Sequence, residues 1–102
     1  MKDYNNVKIW VDDLRPVPKG YIGTKSVNQT IALIEEIVSN NGSIEVIDLD
    51  HDLGDYAKDG GDAINILDYL HMNGTYYPIA IHTANPVGRA NMERAVKAHW
   101  PK

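Results

Sequence analysis

Apolar positions along the chain switch repeatedly between short runs and helical spacing. Val7-Lys8-Ile9-Trp10-Val11 is rich in β-forming residues and stops abruptly at Asp12-Asp13, which predicts a strand. Leu14 to Gly20 reads as a loop, because Pro16 and Pro18 forbid a regular helix. Tyr21 to Lys25 fits a short strand. Ser26 then has the character of an N-cap, and Gln29 completes a capping box. Ile31, Ile34, Ile37 and Val38 share one helical face, and Asn40-Asn41-Gly42 ends that helix. Ile44 to Leu49 is a short apolar run between a glycine turn and an acidic loop, suited to a strand buried in a parallel sheet. Asp50 to Gly61 is that loop. Ala63, Ile66, Leu67 and Leu70 give a second helical face, closed by Asn73-Gly74. Pro78 to His82 is a further strand. Asn85-Pro86 offers an N-cap followed by proline at the first helical position, and Met92, Ala95, Val96 and His99 continue the helix towards Pro101.

The order β(β)αβαβα predicts a small α/β fold, a three-layer sandwich built on a mostly parallel sheet of three to four strands. A length of 102 residues suits one domain, 1–102. Ligands of such sheets bind beyond the carboxyl ends of the strands. Asp12 and Asp13, then Asp50-His51-Asp52, then His82-Thr83-Ala84-Asn85 follow three predicted strands. Parallel strands would bring these distant groups to one edge.

Composition narrows the function. With 43% hydrophobic and 24% charged residues the chain is globular in character, not disordered. The formal charge of −4 argues against a duplex DNA partner. No apolar run approaches the ~20 residues of a membrane helix, and the N-terminus has no signal-peptide core. The absence of cysteine excludes a disulfide scaffold, a thiolate zinc site and a cysteine nucleophile. A cytoplasmic location is the simplest expectation. The acid is unevenly placed: six of the ten Asp lie between Asp48 and Asp62.

Each group carries a definite chemistry. Asp12, Asp13 and Asp50 could hold Mg²⁺ or another divalent cation through oxygen ligands, or could serve only as strand-end turn formers. His51, with Asp50 and Asp52 beside it, suits proton transfer near neutral pH. His82 ends the last strand. The two imidazoles across one phosphate would act as general base and general acid. The helix start from Asn85 offers unpaired N–H groups and a favourable dipole for an anion. Gly88 would allow close approach there, and Arg89 would grip phosphate, with Arg15 as a second clamp. His71 and His99 suit helix C-termini. Tyr76, Tyr77 and Trp100 suit packing.

These residues also carry a family resemblance. Ile9-Trp10-Val11-Asp12-Asp13 with Arg15-Pro16, Leu49-Asp50-His51-Asp52-Leu53-Gly54, Gly61-Asp62, and the run from His82 to Met92 together resemble the receiver-like family named for cyclic-phosphate processing. The wider resemblance is to response-regulator receivers. It implies a flavodoxin-like sheet, an acidic pair at Asp12-Asp13, a phosphoacceptor-type Asp50 and the Thr83-Ala84 pair. Pro16-Val17-Pro18 stands where the first receiver helix would be, and the last receiver strand, with its lysine, has no match; Lys97 falls within the predicted last helix.

The expected function is a phosphoric ester hydrolase acting on a cyclic phosphate, either the cyclic end of an RNA or a small cyclic nucleotide. His51, His82, Asp50 and Asp52 would carry acid–base chemistry. Arg15, Thr83, Asn85, Gly88 and Arg89 would bind phosphate. Two alternatives are a module that sequesters a cyclic nucleotide and a degenerate phospho-receiver. A fourth reading takes Asp48 and Asp50 as the DxD pair of a haloacid-dehalogenase-type phosphatase, which they resemble, with Asp48 as nucleophile. A homo-oligomer is compatible with any of these.

Overall fold

The computed structural model describes residues 3–101. Among these residues it has four strands, β1 (Val7–Val11), β2 (Tyr21–Thr24), β3 (Ile44–Leu49) and β4 (Ile79–Ile81). It has three α-helices, α1 (Val27–Ser39), α2 (Ile64–Asn73) and α3 (Pro86–His99), and one 3₁₀ turn over Gly54–Lys58. The strands form one sheet in the order β2-β1-β3-β4, and every pairing is parallel. This is the parallel, receiver-like α/β arrangement that the sequence pattern predicts.

Register decides which face is the core. Ile9 lies beside Ile47 and Ile47 beside Ile79; Val11 lies beside Leu49 and Leu49 beside Ile81. Parallel neighbours point the same way, so these side chains form one apolar surface, and Ile9, Val11, Ile47 and Leu49 are all fully buried. Ile44 and Ile47 are three residues apart yet both face inwards. The pairing slips between Val7 and Lys8, so that Val7 faces Ile44 while Lys8 faces Val46. The irregularity leaves Glu45 outside the alternation.

All three helices pack on this one surface. Ile34 and Ile37 of α1, Ile66, Leu67 and Leu70 of α2, and Met92 of α3 join the same core. Handedness explains it. The crossovers β2-α1-β3 and β3-α2-β4 advance across the sheet in the same direction, and right-handed connections then place their helices on the same side. The step from β1 to β2 runs the other way, where a helix would cover the second face. Pro16 and Pro18 keep that segment a loop. The result is two layers where the sequence pattern suggested three. The second face presents Lys8, Trp10, Val46, Asp48 and Ala80, all only partly buried.

The helix ends follow their local sequence. Ser26 caps α1 by accepting from Gln29 N–H. The reciprocal bond is shifted by one residue: Gln29 Oε1 accepts from Lys25 N–H. Gly74 (φ 68°) closes α2, its N–H donating to His71 O while Thr75 N–H donates to Leu70 O, the Schellman pattern. Asn85 caps α3 through Val87 and Gly88 N–H, with Pro86 leading. On α1 the buried positions are Val27, Thr30, Ile34 and Ile37, whereas Val38 is 54% exposed. Thr30 is buried because its hydroxyl is satisfied by Ser26 O and by the hydroxyl of Thr24. Among the described residues no helix is long and apolar enough to cross a membrane.

Candidate functional site

The ladder carries Asp12, Asp50 and His82 to the same edge. Asp12 N–H donates to Thr24 O, Asp50 N–H to Val11 O and His82 N–H to Leu49 O. Each of these residues therefore continues its strand by one step before the chain turns away.

Asp12 is buried and fully committed. Its Oδ1 accepts from the N–H groups of Leu14 and Arg15, and its Oδ2 accepts from Arg15 Nη1 at 3.1 Å and from His82 Nε2 at 2.9 Å. Burial alone would push the carboxyl up. The N–H groups of Arg15 and Leu14, with His82 and the Arg15 guanidinium, outweigh it and hold the group below the usual carboxylate range. Arg15 Nη1 also donates to His82 O at 3.0 Å and lies 3.5 Å from Asp50 Oδ2.

His82 is held on three sides. Nδ1 lies 2.6 Å from Asp48 Oδ1, Nε2 faces Asp12, and the ring stacks on Trp10 at 3.7 Å with 7° between planes. Each ring nitrogen therefore faces one carboxylate oxygen.

His51 belongs to a separate group. Its Nδ1 is 2.8 Å from Asp52 Oδ1, and both Asp52 oxygens accept from Asn85 Nδ2 at 3.2 and 3.1 Å. The His51 contact is the chief cause that holds the Asp52 carboxyl low; partial burial opposes it and Asn85 assists. The ring packs directly against Gly88.

A shallow pocket of about 250 Å³ opens between the loops that follow β1, β3 and β4. It is lined by Asp13, Leu14, Arg15, Asp50, Asp52, Gly54, Thr83, Ala84 and Asn85. Residues from all three predicted groups thus meet at one concavity. Neither imidazole lines it. His82 stands behind Asp12 and Arg15, and His51 stands behind Asp52. The expected pairing of His51 and His82 across one ligand is not the arrangement found, because each ring is spent on a different set of carboxylates.

Two further candidates lie elsewhere. Arg89 Nη1 donates to Ile81 O and Nε lies 3.5 Å from Glu93, so its guanidinium serves the outer edge of β4. Gly88 is not an opening for an anion: its N–H is taken by Asn85 Oδ1 and its α-carbon supports His51. Asp48 does not line the pocket, which removes it as a nucleophile there. Its contact with His82, and the stack on Trp10, were not foreseen. Alternation along β1 and β3 puts Trp10 and Asp48 on the face opposite the core, and the register, which the sequence does not give, sets them side by side.

For a cation, oxygens of Asp12, Asp13 and Asp50 lie within 4.8 Å of one another. Asp12 already accepts four hydrogen bonds, so Asp13 with Asp50 is the pair that could hold a divalent cation through oxygen ligands. His51, Asp52 and Asp62 form a second such group, but His51 there bonds Asp52, and Asp62 Oδ1 accepts from Leu53 N–H.

Residues 7–98 match the family described as the cyclic-phosphate processing receiver domain. The chain belongs to this family. The match spans every strand and nearly all of α3, and therefore all of the pocket-lining residues of this receiver domain. No curated protein and no solved structure matches it.

Proposed function

We propose that this receiver domain hydrolyses a cyclic phosphate, the cyclic end of an RNA strand or a small cyclic nucleotide, in the pocket between Arg15, Asp50 and Asp52. One observation carries the reading: the anion-binding donors Arg15, Thr83 and Asn85 share a single concavity with the carboxylates of Asp13, Asp50 and Asp52. A phosphate diester entering among three carboxylates needs countercharge. Arg15 supplies part of it. A divalent cation on Asp13 and Asp50 would supply the rest and polarise the phosphoryl oxygen.

The protein's own groups account for the protons. The attacking water forms a bond to phosphorus and one ring P–O bond breaks. Asp52 faces the pocket, with His51 Nδ1 2.8 Å from its Oδ1. Asp52 takes the proton of the attacking water and passes it to the leaving oxygen, so the Asp52–His51 pair ends as it began. Thr83 and Asn85 orient the remaining oxygens.

Incubation with a cyclic-phosphate-ended oligoribonucleotide and with a cyclic mononucleotide, with and without Mg²⁺, tests the reading by phosphorus NMR. Conversion of the cyclic signal to a monoester supports hydrolysis. Intact cyclic phosphate recovered from a tight complex overturns it in favour of a capture module. A second reading, an acyl phosphate on Asp50, is favoured by Thr83 and Ala84 lining the same pocket as Asp50; acetyl phosphate followed by mass spectrometry detects it.

A further inference from the structure

We infer that Asp48 and Trp10, on the face of the sheet away from the helices, are positioning residues for Arg15. This rests on the reading of Arg15 as the phosphate-gripping group.

One line of contacts links Asp48 and Trp10 to Arg15. Arg15 is 45% exposed and has a long side chain, so a fixed direction needs external support. That support is Asp12 Oδ2 and the carbonyl of His82, both bonded to the same Nη1. Asp12 Oδ2 is in turn held by His82 Nε2. His82 can serve both contacts only while its ring and backbone stay in place. The ring is fixed by Asp48 at Nδ1 and by the parallel stack on Trp10. Trp10 and Asp48 lie side by side on β1 and β3, two rigid elements in the middle of the sheet. Carboxylates and nitrogen-bearing side chains alternate along the line, Asp48, His82, Asp12, Arg15, Asp50, so each contact pairs a nitrogen with a carboxylate oxygen. Without Asp48, His82 loses the partner that sets its ring, and Arg15 loses the precise placement of both its acceptors.

Asp48→Ala removes that support, and Asp48→Asn keeps an acceptor oxygen in place. Two readouts separate the inference from the functional reading. The first is the side-chain NMR signal of Arg15. Slowly exchanging guanidinium protons in the native protein should become averaged in Asp48→Ala and return in Asp48→Asn. The second is binding of inorganic phosphate in the presence of Mg²⁺. Asp48→Ala should raise its dissociation constant about tenfold, and should have no further effect in an Arg15→Ala background. Trp10→Leu gives the same tests where Asp48→Ala does not fold. An Arg15 signal unchanged in both variants overturns the inference, as does equal weakening with and without Arg15. Averaged Arg15 protons in a protein that binds no phosphate leave the positioning intact and overturn the phosphate-gripping role instead.

Discussion

Gly88 lies beneath the imidazole of His51 so closely that a Cβ at residue 88 would sit 2.4 Å from the ring Cγ and 2.7 Å from Nδ1. Because Gly88 has an ordinary helical setting, the reason for glycine here is space, not backbone conformation. Gly88→Ala should therefore displace His51 from Asp52. Overpacking of this kind costs about 1–3 kcal/mol, read as a lower urea midpoint. On the proposed chemistry, turnover falls as well. A variant with wild-type stability and an unmoved His51 resonance would show that the ring yields freely and that the contact constrains nothing.

Acid should weaken the fold through Asp12. The folded carboxyl lies below its ordinary value, so the unfolded chain, near the usual ~3.9, binds the proton more readily. The contribution is then complete above the unfolded pKa and is lost as pH falls through the folded one. The expected profile is a urea midpoint that is flat near neutrality and declines below about pH 4 to 5. Asp52, held low in the same direction, adds to the slope. Asp12→Asn should start from a lower midpoint at neutral pH and fall less steeply in acid. An unchanged acid slope in that variant would assign the effect to other carboxylates.

The two pocket-side histidines should respond differently to truncation. His82 bonds two carboxylates, one of them buried, so His82→Ala takes from Asp48 its contact at Oδ1 and from Asp12 one of four hydrogen bonds. Losing a hydrogen bond to a charged group costs about 1.5–3 kcal/mol, and the donors that Asp12 keeps place the cost towards the lower end. His51→Ala should retain most of the stability and lower turnover by ~10²-fold. Thermal unfolding beside single-turnover kinetics distinguishes them. Equal loss of stability in both variants, with unchanged turnover in the survivor, would remove His51 from the chemistry.

Cation binding should divide the acidic residues. Asp13 and Asp50 line the pocket, while Asp12 is saturated by protein donors. On the proposed function Mg²⁺ would bind the folded state at this pair and raise the melting temperature, and Asp13→Asn and Asp50→Asn should abolish that rise. A full Mg²⁺ response in both variants would exclude this pair as ligands.

Much of this site was legible because strand ends are legible. Apolar runs that stop at Asp12, Asp50 and His82 identify three carboxyl ends, and parallel order brings them together. The direction of each side chain beyond the strand was not. Spacing cannot tell that Arg89 reaches back to Ile81 O while Arg15 turns into the pocket, because both choices depend on which acceptors the fold leaves open. Nor could it tell that the histidines would be spent on different carboxylates: a loop residue such as His51 has no periodicity to fix its face. The number of layers escaped for a related reason. It follows from the direction in which successive strands are added, and alternating elements do not reveal that order.

Helix α1 shows the same limit at the scale of one turn, and yields a simple comparison. Ile34, Ile37 and Val38 all fit an apolar stripe, and the sequence offers no reason to separate the last two. The fold separates them. Thr30 can enter the core because Thr24 and Ser26 satisfy its hydroxyl, and this rotates the buried stripe towards Val27, Thr30, Ile34 and Ile37. Ile37 is fully buried and Val38 is mostly exposed. Ile37→Ala should then cost about 2–5 kcal/mol, transfer free energy and cavity together, whereas Val38→Ala should stay within about 0.5 kcal/mol. Urea denaturation of the two variants measures the difference directly. Comparable losses would mean that Val38 is covered in solution, by a second copy or another partner packed against the outer side of α1.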